Sequence, residues 1–173
     1  MRAILNCDIN WGIGRKNGLL FNLPADMAFF RKTTMNKVVV MGYNTLLSFP
    51  GSKPLKNRTN IVLWADGNEE KATEQGFILA KNLDQLFEAV SIYNPDDVFV
   101  IGGATVYHTL LPYCSEVLIT KVFADGKAEV FFDNLDQLSN WTLKSGSDRI
   151  TDNGYETEYR VYINNKIKKY LPV

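Results

Sequence analysis

The stretch KVVVMG at residues 37–42 constrains the fold more than any other. In a strand, successive side chains point to opposite sides, so an unbroken apolar run must be covered on both faces. Sheets covered on both faces are mostly parallel and carry helices on each side. Further strands are expected at residues 2–9, 59–64 (TNIVLW), 77–80 (FILA), 97–101 (DVFVI) and 116–122 (EVLITKV). A helix is expected over 24–34, with Pro24 in its first turn. Others are expected over 43–49, over 83–91 (Leu83, Leu86, Phe87 and Val90 at helical spacing) and over 104–111. Residues 10–23 read as a loop rich in Gly, Asn and Leu, and residues 65–76 as a polar, exposed loop. Near the C-terminus, WTLKSGS and YETEYRVYI alternate polar and apolar, which predicts an antiparallel pair. The expected fold is α/β: a mainly parallel sheet with helices on both faces and an antiparallel edge.

With 173 residues the chain suits one domain with one sizeable core. The domain is placed at residues 1–163, with a short basic tail at 164–173 holding Lys166, Lys168 and Lys169. Formal net charge is zero, which argues against a nucleic-acid or membrane surface. The two cysteines, Cys7 and Cys114, have no CxxC or Cys/His spacing, and His108 is the one histidine. A zinc site is therefore not expected, nor is Ser-His-Asp or Cys-His catalysis. Two free thiols suit a reducing compartment, and the chain is read as cytoplasmic. The first residues lack the apolar run of a signal peptide, and no stretch approaches a membrane span.

Two strand–Gly–helix junctions stand out, VVVMG-YNT and FVIGG-ATVY. Open parallel sheets bind ligands beyond the carboxyl ends of their strands. Glycine lets backbone approach a ligand, and the N–H groups of a starting helix suit phosphate. The pair fits the two phosphates of a dinucleotide, or equally two tight turns in a plain α/β domain. No GxGxxG follows the first strand, so a Rossmann dehydrogenase is not supported. Asp26 lies in the first turn of LPADMAFFRKTT, on one face with Phe29 and Phe30. It is either a helix-start acid favoured by the dipole or a buried acid awaiting a cationic or amidine-like group. Arg58, at the entrance to TNIVLW, is either a solvated charge or a two-pronged carboxylate clamp. Thr120, late in EVLITKV, means little alone.

Together these segments resemble the dihydrofolate reductase family. WGIGRKNGLLFNLPADMAFFRKTTMNKVVVMGYNTLLSFP, PLKNRTNIVL, VFVIGGATVY and LITKV match it in order and spacing from residue 3 to about 163. The resemblance implies a central eight-stranded, mostly parallel sheet with an antiparallel C-terminal edge and flanking helices. It implies reduction of dihydrofolate with NADPH, NADH being a weaker alternative, by a monomer that also takes antifolate inhibitors. On this resemblance Asp26 hydrogen-bonds the pterin, with Thr120 as its partner. Met27, Phe30, Phe49 and Leu55 pack on the substrate, and Arg58 holds its α-carboxylate. The carbonyls of Ile4 and Ile101 face the pterin's amine side, and Tyr107 lies near the nicotinamide. Gly102 and Gly103, followed by Ala104, Thr105 and Val106, lie against the cofactor. So do Gly42, Tyr43, Asn44 and Thr45, with Leu63, Trp64 and Lys81 near the adenosine. Ile13, Gly14 and Leu19 belong to the loop, Gly14 to Leu23, that closes over the nicotinamide.

Several positions depart from the family pattern. Phe21 replaces a tryptophan that holds a water near the site. Asn6 replaces an alanine beside the nicotinamide. Tyr43 stands where many members have a cation against the 2′-phosphate, and Trp64-Ala65 replaces a serine-bearing pair. Two rivals remain: a reductase of the same fold acting on another pyrimidine or pterin, and an idle ligand-binding relative. Asp26 with Arg58 argues against the first, because a folate needs both an amidine partner and a carboxylate clamp. Intact Asp26, Thr120, Gly102 and Gly103 argue against the second.

Overall fold

The computed structural model describes residues 1–16 and 18–170. Along these the chain runs β1 (Arg2–Cys7), β2 (Gly12–Gly14), α1 (Pro24–Thr34), β3 (Val38–Gly42), α2 (Tyr43–Ser48) and β4 (Thr59–Leu63). It continues through α3 (Glu69–Gln75), β5 (Ile78–Ala80), α4 (Leu83–Val90), β6 (Val98–Gly102), α5 (Ala104–Leu110) and β7 (Glu116–Val122). It ends with β8 (Val130–Phe131), β9 (Trp141–Gly146), β10 (Ile150–Asp152) and β11 (Tyr155–Asn164).

The main sheet has the order β10-β11-β7-β1-β6-β3-β4-β5, with β9 also on β11. Both β9 and β10 pair with the edge of β11 that β7 does not use, so nine strands fill eight positions. Pairing is parallel from β7 through β5 and antiparallel from β7 outward. The sheet is thus the one expected: mostly parallel, with an antiparallel edge at the C-terminal end.

Val38 to Met41 are all buried, as a doubly covered strand requires. Each such side chain contributes about 1.5–3 kcal/mol of burial. Val38 and Val40 pack with Leu86 and Val90 of α4 and Val106 and Leu110 of α5. Val39 and Met41 face the other way, toward Leu46 of α2 and Ala72 of α3. The same alternation puts Cys7 and Ile119 on the α4–α5 face, and hence Asn6 and Thr120 on the opposite one. Cys7 and Cys114 are free and buried, and burial pushes both thiols up to about 12.

Three segments differ from the sequence expectation. Residues 65–76 are not simply a loop, because α3 occupies Glu69–Gln75. Asn68 caps it by accepting from Lys71 N–H, and Gly76 ends it at φ 83°. The first strand stops at Cys7, since the buried Asp8 carboxylate turns the chain by accepting from the N–H groups of Asn10 and Gly12. The expected loop at 10–23 contains β2, which pairs with β8. Beyond β11 the chain folds back: Lys168 N–H donates to Pro112 O, and Tyr170 stacks on Phe87. Residues 171–173 of the expected tail, and Asn17 of the expected closing loop, lie outside the described residues.

Candidate active site

Parallel register brings the site together. β1 and β7 pair with Asn6 opposite Thr120, so two polar side chains stand side by side on the face that α1 covers. Asp26, in the first turn of α1, meets both. Thr120 Oγ1 donates to Asp26 Oδ1 at 2.5 Å, and Asn6 Nδ2 donates to Asp26 Oδ2 at 3.1 Å. Leu23 provides no side-chain cap for α1. Asp152, from β10, does so instead: its carboxylate accepts from the N–H groups of Ala25 (3.1 Å) and Asp26 (3.0 Å).

Burial pushes the Asp26 carboxyl above the ordinary range. The bonds from Thr120 and Asn6 pull it back, and the nearby Asp152 charge pushes it up again. Phe29, expected on one face with Asp26, packs its ring on Tyr159 at 4.7 Å. Phe30 is half-buried and Met27 is 57 % exposed. Phe49, Leu55 and Ile101 pack on the α2–α3 side of the sheet.

At the far end of α1, Arg58 donates through Nε to Thr34 Oγ1 at 3.3 Å and through Nη1 to Lys56 O at 2.8 Å. Its burial and the neighbouring Arg31 both pull its pKa below the ordinary value, so the place favours an anion. Asp26 and Thr34 are eight residues apart in one helix, a span of about 12 Å.

The two junctions are neighbours because β3 pairs with β6, Met41 opposite Gly102. The peptide between Gly102 and Gly103 is cis. A Cβ at Gly42 would sit 3.1 Å from Val106 Cγ2, and one at Gly103 would sit 3.6 Å from Thr45 Oγ1. Neither α2 nor α5 has a side-chain cap. The first-turn N–H groups around Asn44, Thr45, Thr105 and Val106 therefore keep their capacity for an acceptor. Tyr107, behind Ala104 on α5, is buried and donates its hydroxyl proton to Ile4 O at 2.8 Å. The Ile4 carbonyl thus already has one donor, and Tyr107 ties α5 to β1.

At the next corner the rings of Tyr43 and Trp64 stack, with centroids 3.8 Å apart and planes 2° apart. Trp64 follows Leu63 and donates its N–H to Ala80 O, next to the exposed Lys81. Lys71 of α3 donates from Nζ to the Tyr43 hydroxyl at 2.8 Å. Sequence reasoning missed Lys71 because it missed its helix, although Asn68, two glutamates and Gly76 spell a cap, an acidic first turn and a stop. It also missed Asp152, whose role depends on a contact 126 residues away in sequence.

Ile13 and Gly14 lie in β2, and Ile13 packs toward the α4–α5 core. Beyond them Leu19 is 72 % exposed, whereas Phe21 and Leu23 are buried against Val122. Phe21 meets Tyr155 edge-on at 4.8 Å and brings no donor to Asp26.

A half-buried carboxylate with a donor on each oxygen, beside two uncapped helix starts at the carboxyl ends of parallel strands, defines an α/β domain built to hold a ligand there. The dihydrofolate reductase family model matches residues 1–166. The dihydrofolate reductase of Bacillus subtilis (strain 168) is 34 % identical over 161 residues, covering 92 % of this chain and 91 % of the relative. That of Haemophilus influenzae is 28 % identical over 160 residues, covering 91 % and 94 %. Among solved structures, dihydrofolate reductase from Enterococcus faecalis, complexed with NADP(H) and RAB-propyl, superposes with a TM-score of 0.81. It shares 28 % identity, with 95 % of each chain covered. The chain belongs to the dihydrofolate reductase family and is an oxidoreductase.

Proposed function

We propose that the protein reduces 7,8-dihydrofolate to 5,6,7,8-tetrahydrofolate with NADPH, feeding the one-carbon transfers of thymidylate and purine synthesis. The observation that carries this reading is Asp26, half-buried, with its carboxyl raised and each oxygen bonded. Such an acid suits the 2-amino and ring N–H groups of a pterin. Arg58, about a dozen ångströms along α1, suits the α-carboxylate of the glutamate tail. A ligand reaching both is long and has one amidine-like and one anionic end. Met27, Phe30, Phe49 and Leu55 would pack against its rings.

The residues fit a dinucleotide. A substituent at Gly42 would press on Val106, and the open N–H groups of α2 and α5 would take the phosphates. When bound, NADPH supplies the hydride that C6 of dihydrofolate receives. Asp26 orients the pterin, and its negative charge raises the basicity of N5, which takes its proton from water. Thr120 holds the carboxylate for this task. The segment Gly14 to Leu23, with the exposed Leu19, would close over the site and exclude water.

Tyr43 brings no charge to a 2′-phosphate, but Lys71 beside it does, so NADPH is the preferred donor and NADH the weaker one. The complex of the Enterococcus faecalis relative with RAB-propyl and NADP(H) supports a site that also takes antifolates. We place the protein in the cytoplasm as a monomer without nucleic-acid or membrane partners. Zero net charge argues against a nucleic-acid or anionic-membrane surface, and no helix among the described residues is long and apolar enough to cross a membrane.

The test is a steady-state assay with dihydrofolate and each reduced nicotinamide cofactor. Asp26→Asn should keep the fold and lose orders of magnitude in kcat/KM at neutral pH. Wild-type turnover in folded Asp26→Asn would remove Asp26 from the reaction.

A further inference from the structure

Asp26 is held by a pair of donors that stand opposite each other on neighbouring strands. Thr120 takes Oδ1, and Asn6 takes Oδ2 from the partner position on β1. Phe21, on the segment before α1, is an aromatic hydrocarbon packed on Tyr155 and brings no further donor to Asp26. We propose that Asn6 is a positioning residue for the reduction, its amide locking the second carboxylate oxygen and setting the pH at which Asp26 takes up a proton. The inference rests on the reading of Asp26 as the pterin-binding acid.

An amide N–H can only donate, so it favours the ionised carboxylate over the neutral acid. The charged groups around Asp26 are few. Asp152 of β10 accepts the backbone N–H of Asp26 itself and raises the carboxyl by charge repulsion. The Tyr159 phenol of β11 senses the Asp26 charge and is itself raised, burial being the larger cause. Lys121, next to Thr120 on β7, points to the other face, over the Trp11 ring at 4.6 Å. Among the described residues no cation neutralises Asp26. The two neutral donors supply its stabilisation, Thr120 first and Asn6 second. The Asn6 bond also fixes the carboxylate plane, since a group held at one oxygen alone can still rotate about its Cβ–Cγ bond.

The experiment is a carbon-detected NMR titration of the Asp26 carboxyl in the unliganded protein, read beside the pH profile of kcat/KM. Asn6→Leu removes the donor while keeping the branched shape of the side chain. The Asp26 midpoint should then rise by about one pH unit, the scale of one charge-assisted bond at a part-buried site. The kcat/KM profile should move the same way. Asn6→Ser, a smaller change that keeps a hydroxyl donor, should give a midpoint between wild type and Asn6→Leu. A midpoint that stays put or falls in Asn6→Leu, while Thr120→Val raises it, would overturn the proposal. Because the titration needs neither substrate nor cofactor, it still reports on Asn6 if dihydrofolate proves not to be the substrate.

Discussion

Asp26 is chemically useful in a way that weakens the fold. Its carboxyl is raised chiefly by burial, so the folded chain holds the proton more tightly than the unfolded one. In the pH window between the two pKa values the folded state binds more protons. Stability is therefore full below the ordinary carboxylate range, falls as pH rises through the window, and stays reduced above it. Asp26→Asn should melt a few degrees higher than wild type at neutral pH, and the gap should narrow as the pH is lowered into the carboxylate range. Calorimetry of both proteins across pH checks this; equal melting temperatures throughout would mean that burial costs nothing here. Family spacing singles out Asp26, Thr120 and Arg58 in the sequence, and the structure brings Thr120 onto Asp26. The bond from Asn6 was not legible there, since it depends on how α1 packs over β1, and no local pattern encodes that.

Helix α1 shows how an element can depend on a distant residue. Its first-turn N–H groups are satisfied by Asp152 of β10, not by a residue ahead of the helix. Asp152→Ala should cost about 1–2 kcal/mol, as the loss of a capping acceptor does, seen as a lower denaturant midpoint. Because Asp26 is one of the residues held, dihydrofolate affinity should weaken too. The parallel strands and helices α1, α2, α4 and α5 were legible from apolar runs, periodicity and the Pro24 and glycine signals, whereas α3, no shorter than α5, was not, because its polar surface reads as loop. That helix carries Lys71 to the Tyr43–Trp64 pair. Lys71→Gln should weaken adenosine 2′,5′-bisphosphate several-fold in a calorimetric titration and leave 5′-AMP unchanged, the scale of one exposed ion pair of up to about 1 kcal/mol. Equal weakening of both nucleotides would move the 2′-phosphate elsewhere.

Across the molecule, the sheet and α1 hold an acid and a guanidinium apart, Asp26 at one end of α1 and Arg58 at the other. Arg58→Leu should raise the KM for dihydrofolate by about ten- to a hundredfold, the scale of a lost charge-assisted clamp of ~1.5–3 kcal/mol, with little change for the cofactor. A pterin without the glutamate should hardly register the substitution; equal loss for both pterins would make Arg58 structural. The same packing that builds the core also leaves the surface without a reactive sulfur. Cys7 and Cys114 are buried, with thiols pushed up to about 12, so neither offers an accessible thiolate near neutral pH. A cysteine introduced in place of the exposed Leu19 would then be the single site open to a maleimide dye. The unaltered chain could serve as its own background, and the segment ahead of α1 could be tagged without first removing a native residue.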